Sequence, residues 1–159
     1  MTLEELESRI KVLEDIEEIK KLRATYCRLC DSGLDKDGNL DELLSHFTEG
    51  ARLQFGPGAP ISGREGQRAF FGATVTGAVS FCMHMVHNPF INVDGDKADG
   101  TWYFEAPTTT RAEHKAQWMA GTYIEEYVRE GGEWKFDSIR AVFNYITPYE
   151  DGWAKTPGV

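Results

Sequence analysis

Residues 81–107 read FCMHMVHNPFINVDGDKADGTWYFEAP, and this stretch decides the fold class. Its first half is long and rich in apolar residues, whereas its second half follows a glycine turn and alternates between apolar and polar residues. Both patterns are typical of β-strands, so we predict two neighbouring strands here. His84 is unusual in this setting, because it places a titratable side chain inside a strand that is otherwise predicted to be buried.

The chain before this stretch has the periodicity of helices. Apolar residues at helical spacing predict a short acidic leader helix over about residues 2–13, and they are Leu3, Leu6, Ile10 and Leu13. Asp15 with Glu18 three residues later matches a capping box, so we predict that a second, longer helix begins there. This helix carries an apolar stripe and is expected to end near Asp31, because Gly33 suits a C-terminal cap.

The rest of the chain is predicted to be mostly strand. Residues 41–47, DELLSHF, and the later REGQRAFFGAT predict short helices, but after Gly50 the dominant period is that of strands. The last two strands are joined by a hairpin at Gly131 and Gly132, and from about residue 147 we expect a loop-like tail. Helices followed by an antiparallel sheet define the α+β class, here as one domain over residues 1–159 with a pocket between helices and curved sheet.

Composition narrows the classes of function. The 159 residues are 41% hydrophobic and 27% charged, which is ordinary for a globular chain with a sizeable core. The formal net charge of -9 argues against nucleic acid and against anionic membrane surfaces as partners. The charged start predicts no signal peptide, and no apolar run is long enough to span a membrane, so we expect a cytoplasmic location.

The three cysteines do not predict a metal or redox site. Cys27 and Cys30 have the spacing of a redox motif, but they lie inside a helical pattern and are interpreted as two helix residues. No second Cys/His pair has the spacing of zinc ligands, so we expect no metal site.

Three residues are candidates for chemistry. His84 is predicted to share one strand face with positions 82, 86 and 88, while His87 lies on the other face. A lone histidine on a strand is more often structural, but in a pocket His84 would be a general base. Asp31 stands at a helix C-terminus, where the helix dipole disfavours an acid, and a histidine partner would compensate. Tyr26 lies on the apolar stripe and either packs there or donates a hydrogen bond to a ligand carbonyl.

Aromatic residues suggest what the pocket would bind. Trp102 and Phe104 have the same strand parity as Ala106 and are predicted to line the pocket, with Trp118 nearby. Phe81 and Phe90 add to this aromatic content. We therefore expect a small apolar, ring-containing ligand, although each aromatic side chain alone is equally compatible with an ordinary core.

Four stretches resemble the SnoaL-like branch of the NTF2-like superfamily, and they are DIEEIKKLRATYCRLCDSG, HFTEGARL, HMVHNPFINVDGDKADGTWYFE and GGEWKFDSI. Within it the sequence is most similar to bile-acid 7α-dehydratases, and more distantly to scytalone dehydratases and hexachlorocyclohexane dehydrochlorinases. The resemblance implies a cone in which N-terminal helices and a curved mixed or antiparallel sheet enclose an apolar pocket. It also implies that Asp31 pairs with His84, and that Tyr26 matches a family tyrosine.

The sequence departs from this family pattern at one position. The acid that follows the WY-x-E motif in the bile-acid enzymes is Ala106 here, and the neighbouring Glu105 has the wrong parity to replace it unless a β-bulge intervenes. Asn88, Arg140 or Asn144 could supply a polar substitute.

The resemblance implies a cofactor-independent, dehydratase-like β-elimination on a small ring-containing carbonyl compound. A proton-shifting isomerase and a non-catalytic ligand-binding module remain alternatives. The resemblance also implies a homo-oligomer, with a trimer favoured over a dimer.

Overall fold

The computed structural model describes residues 1–36 and 38–155. The helices in this part are α1 (Leu3–Ser32), α2 (Asn39–Ser45), α3 (Gly63–Ala69), α4 (Thr76–Ala78) and α5 (Gly152–Lys155), with a π-helical turn at Phe70–Val75. The strands are β1 (Phe47–Phe55), β2 (Ile61–Ser62), β3 (Val79–Cys82), β4 (Met85–Asp94), β5 (Lys97–Thr110), β6 (Ala116–Glu130) and β7 (Glu133–Pro148). No helix in these ranges has the length and hydropathy needed to cross a membrane.

These strands form one curved, mixed sheet in the order β2-β1-β7-β6-β5, with β3 and β4 both pairing with β5. Strands β1 and β7 are parallel and the other pairs are antiparallel. The long helix α1 packs on the concave face, so the predicted α+β cone is confirmed. The predicted hairpin at Gly131 and Gly132 joins β6 to β7, and both glycines have positive φ angles, 62° and 88°.

A glycine allows the sheet to bend beside the core. The β6–β7 register shifts between Ala120 and Gly121, which marks a β-bulge. A Cβ atom on Gly121 would lie 2.1 Å from the carbonyl oxygen of Val142, so no larger residue fits this close strand approach.

Helix α1 is continuous, so the predicted helix boundary at Asp15 is wrong. The N-terminal cap is Thr2, whose side chain forms a capping box with Glu5. Asp15 is instead buried, and it accepts hydrogen bonds from Arg129 and from Trp134 Nε1. The acid therefore ties α1 to the β6–β7 hairpin rather than starting a helix.

The predicted tail is also more ordered than expected. Strand β7 continues to Pro148, and a turn then leads into α5. The ring of Tyr149 stacks on Trp118, and Trp153 packs near Tyr145, so aromatic contacts hold this segment on the sheet. Residues 156–159 of the predicted tail lie outside the described residues.

Candidate active site

A cavity of about 260 Å³ lies between α1, the segment from α3 to β3 and the concave face of the sheet. Its walls are mainly apolar, with Phe55, Phe70, Phe71, Val75 and Met119 among them. The polar side chains that reach it include Tyr26, His84, Thr108 and Tyr123. An apolar cavity with a few converging polar groups is the usual form of a small-molecule site.

Asp31 and His84 meet at the edge of this cavity. The Asp31 Oδ1 atom lies 2.6 Å from His84 Nδ1, and both carboxylate oxygens lie 3.0 Å from the backbone N–H of His84. The two side chains are 25% and 13% exposed, respectively, so solvent reaches the pair only in part. The carboxylate thus holds the histidine by its main chain and its ring.

The strand geometry explains why the backbone N–H of His84 is available. The register pairs Cys82 with Thr108 and Met85 with Glu105, which places Met83 opposite Pro107 and His84 opposite Ala106. Pro107 has no N–H to donate to Met83, and at this point the strand is interrupted, because β3 ends at Cys82 and β4 begins at Met85. In an antiparallel pair the next N–H points away from the neighbouring strand, so that of His84 reaches Asp31 instead.

The contacts of His84 fix the role that each ring nitrogen can take. With the proton on Nδ1, the ring donates to Asp31 and leaves the Nε2 lone pair free to accept a proton. The Cys82 sulfur lies 3.5 Å from Nδ1 and 3.8 Å from Nε2, so it packs against the ring face. The pair therefore has the geometry of an oriented general base.

Tyr26 supplies a hydrogen-bond donor beside the histidine. Tyr26 is 2% exposed, and its ring meets the His84 ring edge-on, with 6.1 Å between centroids. Burial raises the pKa of Tyr26 well above its usual value. The hydroxyl consequently stays protonated at neutral pH and can donate to a ligand oxygen.

A buried charge that the sequence pattern did not predict lies against two of the cavity residues. The Arg23 guanidinium stacks over the rings of Tyr26 and Tyr123, at 4.3 and 3.9 Å from their centroids, and pairs with Glu125 at 3.0 Å. Burial alone would lower the pKa of Arg23, but the Glu125 carboxylate raises it, so the residue stays charged. The alternation of β6 gives Glu125 the parity of Tyr123 and Tyr127, and this signal could have revealed it.

Phe104 lies in the cavity wall, but the prediction for Trp102 is wrong. Both share the inner face of β5, yet Trp102 is farther from His84, buried in the core, where its Nε1 donates to the Tyr127 hydroxyl at 3.0 Å. Strand parity gives the face of a residue and not its depth along the cone.

Asn88 does not reach the cavity because β4 contains a bulge. The register shifts between His87 and Phe90, and Asn88 has a φ of 51°. The extra residue turns Asn88 and Phe90 to the exposed side, so the prediction that position 88 shares the face of His84 is wrong.

The predictions for Arg140 and Trp118 are also wrong, because these residues lie on the outer face. Arg140 is exposed between the buried Ile139 and Ala141. Trp118 pairs in register with Pro107, whose parity is opposite to that of Ala106, and Tyr149 covers it. Asn144, suggested as a polar substitute for the acid, and Phe81, suggested as one of the aromatic residues, are also exposed.

Ala106, at the position where the bile-acid enzymes are expected to have an acid, places a small residue beside His84. Ala106 is buried directly across from His84, whereas Glu105 points outward and lies 3.9 Å from His87 Nε2. Neither Asn88 nor Arg140 replaces the acid in the cavity.

Three side chains at this point could hold a metal ion. The ligand atoms of Asp31, Cys82 and His84 lie within 4.8 Å of one another. Burial raises the pKa of Cys82 to about 12, so the thiol would have to lose a firmly held proton to bind a metal. The Asp31 oxygens already accept from His84, and a metal would compete with that contact.

Cys27 and Cys30 lie inside α1 as free thiols, in agreement with their interpretation as helix residues. Burial raises the pKa of Cys27 to about 11 and that of Cys30 further, which disfavours the thiolate needed for redox exchange.

Comparison with known protein families identifies the family of this chain. The profile of the SnoaL-like domain matches residues 11–140, which is most of the chain. The chain belongs to the SnoaL-like family. The predicted family is thereby confirmed, while the closer likeness to bile-acid dehydratases stays a prediction.

This SnoaL-like domain is similar to several solved structures. LinA has 22% identity and a TM-score of 0.78, with 89% of this chain and 93% of that chain covered. The hexachlorocyclohexane dehydrochlorinase LinA-type3 from Novosphingobium barchaimii has 22% identity and a TM-score of 0.74, over 92% and 95% of the two chains. A candidate scytalone dehydratase from Novosphingobium aromaticivorans has 20% identity and a TM-score of 0.76, over 86% and 89%. At these identities the likeness establishes the fold.

Proposed function

We propose that this SnoaL-like protein is a cofactor-independent lyase that removes water from a small ring-containing β-hydroxy carbonyl compound. The observation that carries the proposal is the 2.6 Å contact between Asp31 and His84 at an apolar cavity. The family and the neighbours, which include dehydrochlorinases and a candidate scytalone dehydratase, support elimination chemistry.

In the first step His84 acts as the base. Its Nε2 takes a proton from the carbon next to the substrate carbonyl, and Asp31 stabilises the imidazolium that forms. The electron pair of the broken C–H bond moves onto the carbonyl oxygen, which becomes an enolate. Tyr26 donates a hydrogen bond to that oxygen, where the negative charge develops.

In the second step the enolate collapses. A carbon–carbon double bond forms as the bond to the β-hydroxyl breaks, and the imidazolium returns its proton to the departing oxygen as water. Acid and base are then restored, and no electron leaves the substrate, so the scheme needs no redox cofactor. The general-base contribution is worth about 10²–10⁴ in rate.

An isomerase is the second candidate, and Ala106 favours it. A proton shift uses the same base but needs no acid for a leaving group, so an alanine opposite His84 costs that reaction nothing. A ligand-binding module would keep the cavity without turnover.

The decisive test uses 3-hydroxy-1-tetralone, which loses water to give the aromatic and fluorescent 1-naphthol. We expect the wild type to form 1-naphthol above the buffer rate and His84→Ala to fall to that rate. A cyclic β,γ-enone tested in parallel identifies an isomerase, because its conjugated product has an unchanged mass. Turnover of neither compound by wild type would contradict the lyase proposal and favour the binding module.

We also propose that the protein assembles with itself, with a trimer favoured over a dimer. The outer face of the central strands carries exposed apolar side chains, among them Tyr103, Ile124 and Val142 at 55%, 40% and 40% exposure. Apolar patches on a sheet face are typical of subunit interfaces.

A further inference from the structure

Thr108 carries a hydroxyl that the mechanism above does not use. The residue is 2% exposed, and within the described part of the chain its Oγ1 atom has no hydrogen-bond partner. The side chain nevertheless lies in the wall of the cavity. A buried hydroxyl that lacks a partner destabilises the folded protein, so its presence in an apolar wall needs a reason.

The position of Thr108 relates it to the base. It follows Phe104 and Ala106 on the inner face of β5, and it pairs in register with Cys82, whose sulfur packs against the His84 ring. Side chains directly opposite on antiparallel strands are neighbours. Thr108 therefore stands one side chain away from His84, two residues beyond the alanine that replaces the family acid.

We propose that Thr108 is the specificity-determining residue that recognises a second oxygen of the substrate, apart from the carbonyl held by Tyr26. This inference rests on the proposed function, whose substrate carries a carbonyl and a β-hydroxyl, and it assigns the β-hydroxyl to Thr108. A ligand oxygen would satisfy the orphan hydroxyl, whereas a purely apolar or chlorinated ring would leave it unpaired. A site built to hydrogen-bond a substrate group discriminates against analogues that lack it.

A functional hydroxyl and a structural one predict opposite effects on stability. Thr108→Val keeps the shape and removes the unpaired oxygen, so it should raise the melting temperature of the free protein. Thr108→Ser keeps the hydroxyl and is the matched control. Had the hydroxyl a structural partner, Thr108→Val would lower the melting temperature.

The binding test compares two probes that differ in one oxygen. In a His84→Ala background, where the proposed turnover is blocked, dissociation constants are measured for 3-hydroxy-1-tetralone and for 1-tetralone. We expect Thr108→Val to weaken binding of the hydroxyl compound roughly three- to tenfold and to leave 1-tetralone unchanged. Thr108→Ser should bind both probes as the background does.

The outcomes separate this inference from the proposed function. The role of Thr108 would be overturned if Thr108→Val had a lower melting temperature than wild type. It would also be overturned if Thr108→Val bound 3-hydroxy-1-tetralone as tightly as the His84→Ala background does. An equal loss for both probes would place the contact at the carbonyl and overturn the second-oxygen assignment. If wild type forms no 1-naphthol while Thr108→Val still loses affinity selectively, the lyase proposal falls and the Thr108 contact stands.

Discussion

In the proposed mechanism Asp31 orients His84, the base, through hydrogen bonds to its ring and to its backbone N–H. Asp31→Asn retains an oxygen that can accept one hydrogen bond from His84, but it removes the charge that stabilises an imidazolium. We expect the elimination rate to fall about 10²–10⁴-fold, with a smaller change in KM. The rate of 1-naphthol formation measures this.

The matched control is the neighbouring histidine. His87 lies on the outer face, 45% exposed, and its ring is close to Glu105. His87→Ala should leave kcat/KM within about twofold of wild type, because surface substitutions away from the site have small effects. Equal losses in His87→Ala and Asp31→Asn would argue against a specific role for the Asp31–His84 pair.

At the scale of elements, the buried Asp15 joins α1 to the β6–β7 hairpin. Asp15→Asn should lower the free energy of unfolding by about 2 kcal/mol, because Arg129 and Trp134 lose a charged acceptor. Glu18→Gln removes an exposed partner 3.6 Å from Arg129 and should cost less than about 0.5 kcal/mol. Urea unfolding of both variants tests this, and similar costs would show that Asp15 has no special role.

Helix α1 also predicts a pH dependence of stability. Burial raises the pKa of Cys27 to about 11 from the ordinary 9.0. The unfolded chain therefore releases the Cys27 proton at a lower pH than the folded protein does. The stabilisation of the folded protein by this thiol is complete below pH 9 and is lost as the pH rises toward 11. Wild type should lose about 1 kcal/mol more than Cys27→Ser between pH 8 and pH 10. Parallel urea curves would show no such excess if the thiol titrates alike in both states.

Periodicity predicts faces of elements better than it predicts their ends. The alternation of β5 correctly separates Ala106 from Glu105, because each side chain follows the strand period. Alternation cannot reveal the bulge at Asn88, where a positive φ angle changes which face of the strand the side chain occupies. It also cannot reveal how deep Trp102 lies in the core. The approach of Asp31 to His84 is a tertiary contact: the helix dipole suggested a histidine partner for Asp31, and the family resemblance named His84. The role of Thr108 could be inferred only from the cavity in the structure, because nothing in the sequence distinguishes its hydroxyl from that of other threonines.

For the whole molecule, the proposed assembly predicts which surface substitutions dissociate it. Val142→Glu places a charge on the outer face next to Thr122 and in the same cross-strand row as Tyr103, and light scattering should then report a monomer. Lys11→Glu, at an exposed position of α1, should keep the assembly of the wild type. A monomeric wild type would contradict the proposed self-association.

The central claim is that Asp31 and His84 remove a proton next to a carbonyl, and proton exchange tests it without any leaving group. 1-Tetralone is incubated with the protein in D₂O, and loss of the C2 proton signal is followed by NMR. We predict exchange faster than the buffer rate for wild type, and exchange at the buffer rate for His84→Ala. Exchange in wild type that is no faster than buffer, or that persists in His84→Ala, would contradict the account.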